Sequence, residues 1–275
     1  MARPLFKSSH YFSIGFQHTS SIRVTWRILH ILLSAVFFHQ QHTSTKYLQP
    51  YIIHPADTWL TDDHLELLRL MIDHNKMVLP NHINATPSKT TICLNTFFYP
   101  KLKEDQNEAL HWLQIILERK DLLTHSGDLL LEELLIPINF ENQHWILVTI
   151  DVKHGCYFAI NPYCPEDPTE FELSIASFIT DALSRRFQLK TPQFTHRSPN
   201  NIQYLPIQLP NDTINCGVYV SMYMIIYSFG TFNQPYIGNL LIPPTIDECR
   251  VLMTAWMLKG EIFFPKHSDR DELHY

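Results

Sequence analysis

Glycine is scarce in this chain, with 7 residues in 275, while proline numbers 18. Few turns can therefore use a residue that takes positive φ freely, and Pro and Asn are expected to make most of them. Clustered Lys and Arg are missing. The 21 basic residues are outweighed by 27 acidic ones, for a net charge of -6. That excludes the basic patch a nucleic-acid surface needs. Long apolar runs are missing too. The run in the first fifty residues, Ile28 to Phe38, is broken by His30 and is well short of the roughly 20 residues a spanning helix needs. A membrane location is thus not expected. Cysteines number 5, an odd count with sparse spacing, so no disulfide framework is expected. No Cys-x-x-Cys or His-x-x-x-His spacing suggests a zinc site, and no metal is expected. Reduced thiols point to an intracellular location, nucleus or cytoplasm.

What is present divides into three parts. Residues 1–50 form a leader of unknown role, rich in His, Ser and Thr. Arg3, Lys7, Arg23 and Arg27 precede its apolar run, as they do in signal peptides and anchors. The alternative is a poorly ordered leader or a small packed helix. Residues 51–265 carry globular patterning, and 266–275 are a polar tail. Thr61-Asp62-Asp63 opens a helix, with a Thr cap and acids that suit the helix dipole. Ile92 to Phe98 reads as a strand or core segment closed by Pro100, and 104–119 as a second helix. Leu134–Asn139, His144–Ile150 and Tyr157–Ile160 read as three strands. Thr169 to Phe187 is a helix with Phe171, Ile175, Phe178, Ile179 and Leu183 inward. Gly217 to Phe229 is apolar on every side, as a buried central helix would be. Thr245 to Leu258 is the last helix. Helices, then strands, then helices make an α+β fold: a small, mostly antiparallel sheet flanked by helices.

Cys216 stands at the start of that central helix. Asn215 before it is a good N-cap, and orphan backbone N–H groups point toward the thiol. Such a position favours thiolate and offers donors for an oxyanion. Gly217 would let a substrate backbone come close. His144, at the mouth of a strand after a polar turn, can act as base. Asn161 ends the neighbouring strand and can accept from one ring N–H, leaving the other nitrogen for the thiol. Gln208, eight residues before Cys216, can supply an amide N–H to the oxyanion, with Gln203 a weaker candidate. Each residue also has a plain structural reading: a buried inert cysteine, a surface histidine, a turn-starting Asn-Pro, a solvated loop glutamine.

Five segments in order carry a resemblance. They are Trp59-Leu60-Thr61-Asp62-Asp63-His64, Leu94-Asn95-Thr96-Phe97-Phe98-Tyr99, Ile136-Pro137-Ile138-Asn139, His144-Trp145-Ile146-Leu147-Val148 and Cys216-Gly217-Val218-Tyr219. Over about residues 55–260 the chain resembles the ubiquitin-like-specific cysteine proteases (the Ulp and SENP enzymes, which process SUMO and its relatives). The resemblance implies a papain-like α+β fold, a His–Asp–Cys triad with a Gln, and no cofactor or metal. Carried over, Cys216 is the nucleophile and His144 the base. Trp59 and Trp145 fall where the family lines a narrow tunnel for a Gly-Gly tail. The partner implied is a ubiquitin-like modifier: SUMO, or alternatively ubiquitin or NEDD8. Two positions depart from the family. Asn161 stands where it usually has Asp; Asp151 and Asp167 are poor substitutes. Asn215 replaces the usual Asp before the cysteine, and Gln208 lies two residues further out than usual. A decayed modifier-binding protein, a maturation protease of viral or mobile-element type and an acyltransferase remain alternatives.

Overall fold

The computed structural model describes residues 59–74, 77–78, 90–124, 129–141, 143–164, 168–187, 194–196, 207–228 and 245–263. The leader and its apolar run, Gln203, Asp167 and the polar tail lie outside the described residues.

The architecture is α+β, built on a mixed five-stranded sheet. Its strands are β2 (Thr91–Cys93), β3 (Glu133–Phe140), β4 (His144–Asp151), β5 (Cys156–Ile160) and β6 (Thr195–His196), side by side in that order. The two central pairings, β3 with β4 and β4 with β5, are antiparallel. The two outer ones, β2 with β3 and β5 with β6, are parallel. The sheet is thus antiparallel at its centre and parallel at both edges. The long central pairings make the sheet mostly antiparallel, as expected; its parallel edges come from strands too short to show any pattern of their own. A separate parallel pair joins β1 (Met77–Val78) to β7 (Ile262–Phe263).

Alternation along β4 decides where the helices lie. Trp145 and Leu147 point to one face, and Ile146, Val148 and Ile150 to the other, all buried. A strand apolar on both sides needs a layer on each. On the Trp145 face lie helices α1 (Asp62–Asp73), α5 (Cys216–Ser228) and α6 (Ile246–Lys259). On the other lie α2 (Phe98–Glu104), α3 (Gln106–Arg119) and α4 (Glu170–Phe187). None of the helices among the described residues is long and apolar enough to cross a membrane.

Helix α5 rests against β4, and all of its residues are buried. Its two serines are satisfied locally: Ser221 Oγ donates to the Gly217 carbonyl at 2.8 Å and Ser228 Oγ to that of Met224 at 2.6 Å. Tyr219, Tyr223 and Tyr227 form a row four residues apart, at most 7% exposed.

Three expectations change. The segment beginning at Ile92 is a strand only to Cys93; Phe98 opens α2, and Pro100 sits in its first turn, where a missing N–H costs nothing. The helix read as 104–119 begins afresh at Asp105, whose carboxylate accepts from the Glu108 N–H at 3.0 Å. Phe171 is 62% exposed rather than inward; it leans on the Phe140 ring, centroids 5.2 Å apart. The β3–β4 hairpin is turned without glycine, by Glu141 at φ 50°.

Candidate active site

The sheet and α5 together place the candidate residues. Strand β4 begins at His144, and the chain leaves β5 directly into Asn161. Leu147 pairs with Ile160, so the start of β4 and the residue after β5 lie at one end of the sheet. There His144 Nε2 and Asn161 Oδ1 are 3.0 Å apart. The same oxygen accepts from the Tyr163 N–H at 3.0 Å, closing an Asx turn through Pro162. The Tyr163 ring stacks on the imidazole, centroids 5.2 Å apart and planes 16° apart. Asp151 sits at the opposite end of β4 and pairs with His154.

Cys216 is the first residue of α5 and is 1% exposed. Three backbone N–H groups point at its sulfur, from Trp145, Gly217 and Cys216 itself. The Trp145 donor belongs to the residue after His144, so the thiol lies against the head of β4. Two of the three donors belong to the helix start, and they are available because Asn215 does not cap it. The Asn215 side chain turns away: its Oδ1 accepts from Arg250 Nε at 2.5 Å and its Nδ2 donates to Asp212 Oδ1 at 2.7 Å. The expected capping role is therefore not seen. The helix donors serve the sulfur instead.

Burial pushes the Cys216 thiol up, the three N–H donors pull it back, and the net direction is upward. Burial lowers His144, partly offset by the Asn161 hydrogen bond and the Glu172 charge. Both shifts favour a neutral thiol and a neutral imidazole at rest. The expected depressed thiol is thus not found, because desolvation outweighs the helix terminus.

Gln208 is buried, at 1% exposure. Its N–H donates to the Pro162 carbonyl at 2.9 Å, tying its loop to the Asn161 turn. Its Nε2 donates to the Asp212 carbonyl at 2.5 Å, which also accepts from Tyr163 OH at 2.9 Å. One amide hydrogen of Gln208 is left over. Asp212 Oδ1 in turn accepts from the backbone N–H groups of Ile214 and Asn215, at 3.3 and 3.1 Å.

The two tryptophans differ. Trp59 is 38% exposed, while Trp145 is 1% exposed with Nε1 donating to the Leu60 carbonyl at 3.0 Å. Gly217 is required by packing. A Cβ there would lie 2.8 Å from Leu60 Cβ and 3.1 Å from Trp145 Cδ1. The space above Gly217 is thus filled by the protein's own side chains, rather than left open for a substrate backbone.

Tyr163, Asp212, Glu172 and Arg250 escaped the sequence reading. Thr169-x-x-Glu172 is a capping-box pattern that could have marked Glu172. Arg250 lies three, four and seven residues before buried Met253, Thr254 and Met257, so helical period alone puts it on the inner face.

The matching family is the Ulp1 protease family, C-terminal catalytic domain, whose model covers residues 58–241. Among solved structures, one similar protein is the SUMO protease Ulp1 with its catalytic cysteine oxidised to a sulfonic acid. It is 20% identical with a TM-score of 0.53, over 75% of this chain and 80% of that one. Another is the C-terminal Ulp1 protease domain in complex with Smt3, the yeast ortholog of SUMO. It is 20% identical, TM-score 0.51, over 74% and 77%. A third is the Ulp1-like SUMO protease catalytic domain of Chaetomium thermophilum, 17% identical, TM-score 0.53, over 81% and 80%. No curated protein matches the chain. At these identities the likeness carries the fold.

Proposed function

Because the chain belongs to the Ulp1 protease family, a family of cysteine proteases for ubiquitin-like modifiers, we propose that it hydrolyses peptide or isopeptide bonds after the C-terminal Gly-Gly of such a modifier, SUMO first among them. Ubiquitin and NEDD8 are the other candidates. The observation that carries the reading is the site at the head of β4 and α5. There a buried thiol is met by three backbone N–H groups beside a histidine whose Nε2 is already held by Asn161. Residues 51–265 are the proposed catalytic unit. Five free cysteines fit an intracellular setting, nucleus or cytoplasm.

The chemistry follows from the hydrogen bonds. With Nε2 donating to Asn161 Oδ1, Nδ1 keeps the lone pair and takes the Cys216 proton as sulfur attacks the scissile carbonyl. The oxyanion that forms is held by the Cys216 N–H and the spare amide hydrogen of Gln208. The carbon–nitrogen bond breaks, and the leaving amine carries off the proton from His144, leaving a thioester. Water then attacks; His144 takes its proton and returns it to sulfur as the Gly-Gly carboxylate departs. The neutral resting pair means that the thiolate is made at the moment of attack rather than stored.

The test is a panel of SUMO, ubiquitin and NEDD8 carrying a C-terminal electrophile, incubated with the full chain and with Cys216→Ala. A covalent adduct with one modifier, lost in the variant but with binding retained, is expected. No adduct with any member, from folded protein, would sink the reading in favour of a binding protein or another acyl substrate.

A further inference from the structure

Behind Asn161 stands a carboxylate. Asn161 Nδ2 donates to Glu172 Oε1 at 2.5 Å. Glu172 lies in the first turn of α4 and is 5% exposed. Its Oε2 accepts from the Thr169 N–H at 2.7 Å, and its own N–H donates to Thr169 Oγ1 at 3.3 Å. A capping box needs one carboxylate oxygen. Here the second oxygen leaves the helix and engages the asparagine.

This settles which way the Asn161 amide faces. A carboxylate offers only acceptors, so the group against it must be the NH2. At the other end, the Tyr163 N–H demands an oxygen. Both constraints turn Oδ1 toward His144, and Nε2 must then carry the ring proton. Nδ1 is left as the basic nitrogen. With the amide reversed, Nε2 would become the acceptor, the proton would sit on Nδ1, and the ring could not take a proton from the thiol.

We propose that Glu172 is a positioning residue of the catalytic relay: it fixes the amide polarity of Asn161, through it the tautomer of His144, and supplies from one residue further back the negative charge that a carboxylate at position 161 would supply directly. The proposal rests on the reading that Cys216, His144 and Asn161 do the chemistry. The groups facing the imidazole are Asn161 and the Tyr163 ring, and Glu172 is the carboxylate whose charge favours its protonated form.

The test is the rate of alkylation of Cys216 by chloroacetamide across a pH series, read from the mass of its peptide. No modifier is needed. Exposed Cys164 is the internal reference. In the wild type, Cys216 reactivity falls on the acid side as His144 is protonated. In Glu172→Gln the plateau is expected to drop roughly 10- to 100-fold, with Cys164 unchanged. Its acid limb should move to lower pH, because the imidazolium has lost its supporting charge. A merely structural role would leave that limb in place. In the double variant Asn161→Asp with Glu172→Gln, the introduced glutamine can donate to the new carboxylate and still accept from Thr169 N–H. Its rate should return to within about threefold of wild type, with the acid limb at or above the wild-type position.

Glu172→Gln matching wild type in rate and limb would overturn the proposal. So would a double variant as slow as the single one. Should Glu172→Gln fail to unfold cooperatively, the double variant decides alone by the same criterion. A wild-type Cys216 with no acid limb would overturn the relay as a whole. A fast, pH-dependent Cys216 that ignores every modifier probe would instead leave this proposal standing and sink only the substrate assignment.

Discussion

Two asparagines flank the thiol, and each is held from behind by a buried ion of opposite sign. On the base side, Asn161 gives its NH2 to Glu172 and turns its oxygen to His144. On the nucleophile side, Asn215 gives its oxygen to Arg250 and its NH2 to Asp212. The same amide is thus set with opposite polarity by its neighbour. The two sides also differ in depth. Tyr163 is 37% exposed, whereas Arg250 is 0% exposed. On the proposed reading the shallow side lets a ring gain and lose a proton. The deep side is arranged so that a helix start stays still. Damage to the first should appear as rate, and damage to the second as stability.

The hardest break to the base side is His144→Ala. Turnover of an aminocoumarin-tagged modifier should fall about 10³- to 10⁴-fold, with the unfolding midpoint little changed. A loss under tenfold would mean that His144 is not the base. On the deep side, Arg250→Met leaves the Asn215 Oδ1 and Ile214 carbonyl acceptors without their guanidinium donor. Urea unfolding should show a loss of about 2–6 kcal/mol, from one buried and one part-buried acceptor at about 1–3 each. An unchanged midpoint would contradict the assignment of stability to this side.

Gly217→Ala tests the point where the two sides meet. The added methyl must displace Leu60 or Trp145. A cost of about 1–3 kcal/mol is expected, again by urea unfolding. Full stability would show that the contact yields without strain. The smallest effect is one of pH. Burial pushes Tyr219 up to about 12, and Tyr223 and Tyr227 well above the ordinary phenol value. The fold therefore favours the neutral phenols. Below the unfolded value of about 10, both states keep their protons and this contribution is complete. Above it, the unfolded chain ionises first, so stability falls as pH rises toward 12 and beyond. Of the chain's 12 tyrosines, these three should show phenolate absorbance only together with unfolding. All twelve ionising in the still-folded protein at about pH 10 would refute the burial of this row.

How much of this was readable from residues alone follows the reach of each signal. Strand β4 and helix α5 declare themselves by apolar pattern, because their neighbours merely cover them. The edge strands do not, since two or three residues show no period. The segment ending at Phe98 was read as strand or core from local composition; Phe98 is buried, yet its backbone turns helical and Pro100 fits the first turn. Cys216, His144 and Asn161 were visible as residue types with suitable chemistry. Their supports were not, because each is a contact between distant segments: Arg250 lies 35 residues from Asn215, and Tyr163 OH reaches a carbonyl 49 residues on. A charged residue inside a helix reads as solvated until a partner is known. Asn215 was read as a cap because the local rule is sound. A guanidinium from α6 outcompeted it.

The stack of Leu60, Trp145 and Gly217 bears on the order in which the chain acquires its chemistry. It joins the segment before α1, the head of β4 and the first turn of α5, the first two already 85 residues apart. Contacts of that span close late, after local helices and the central hairpin have formed. During synthesis the chain therefore carries His144 and Cys216 for some time before the proposed centre is assembled. The thiol is brought under its donors only when the three segments lock, so the proteolytic competence proposed for this site would arrive with the completed fold and not before it.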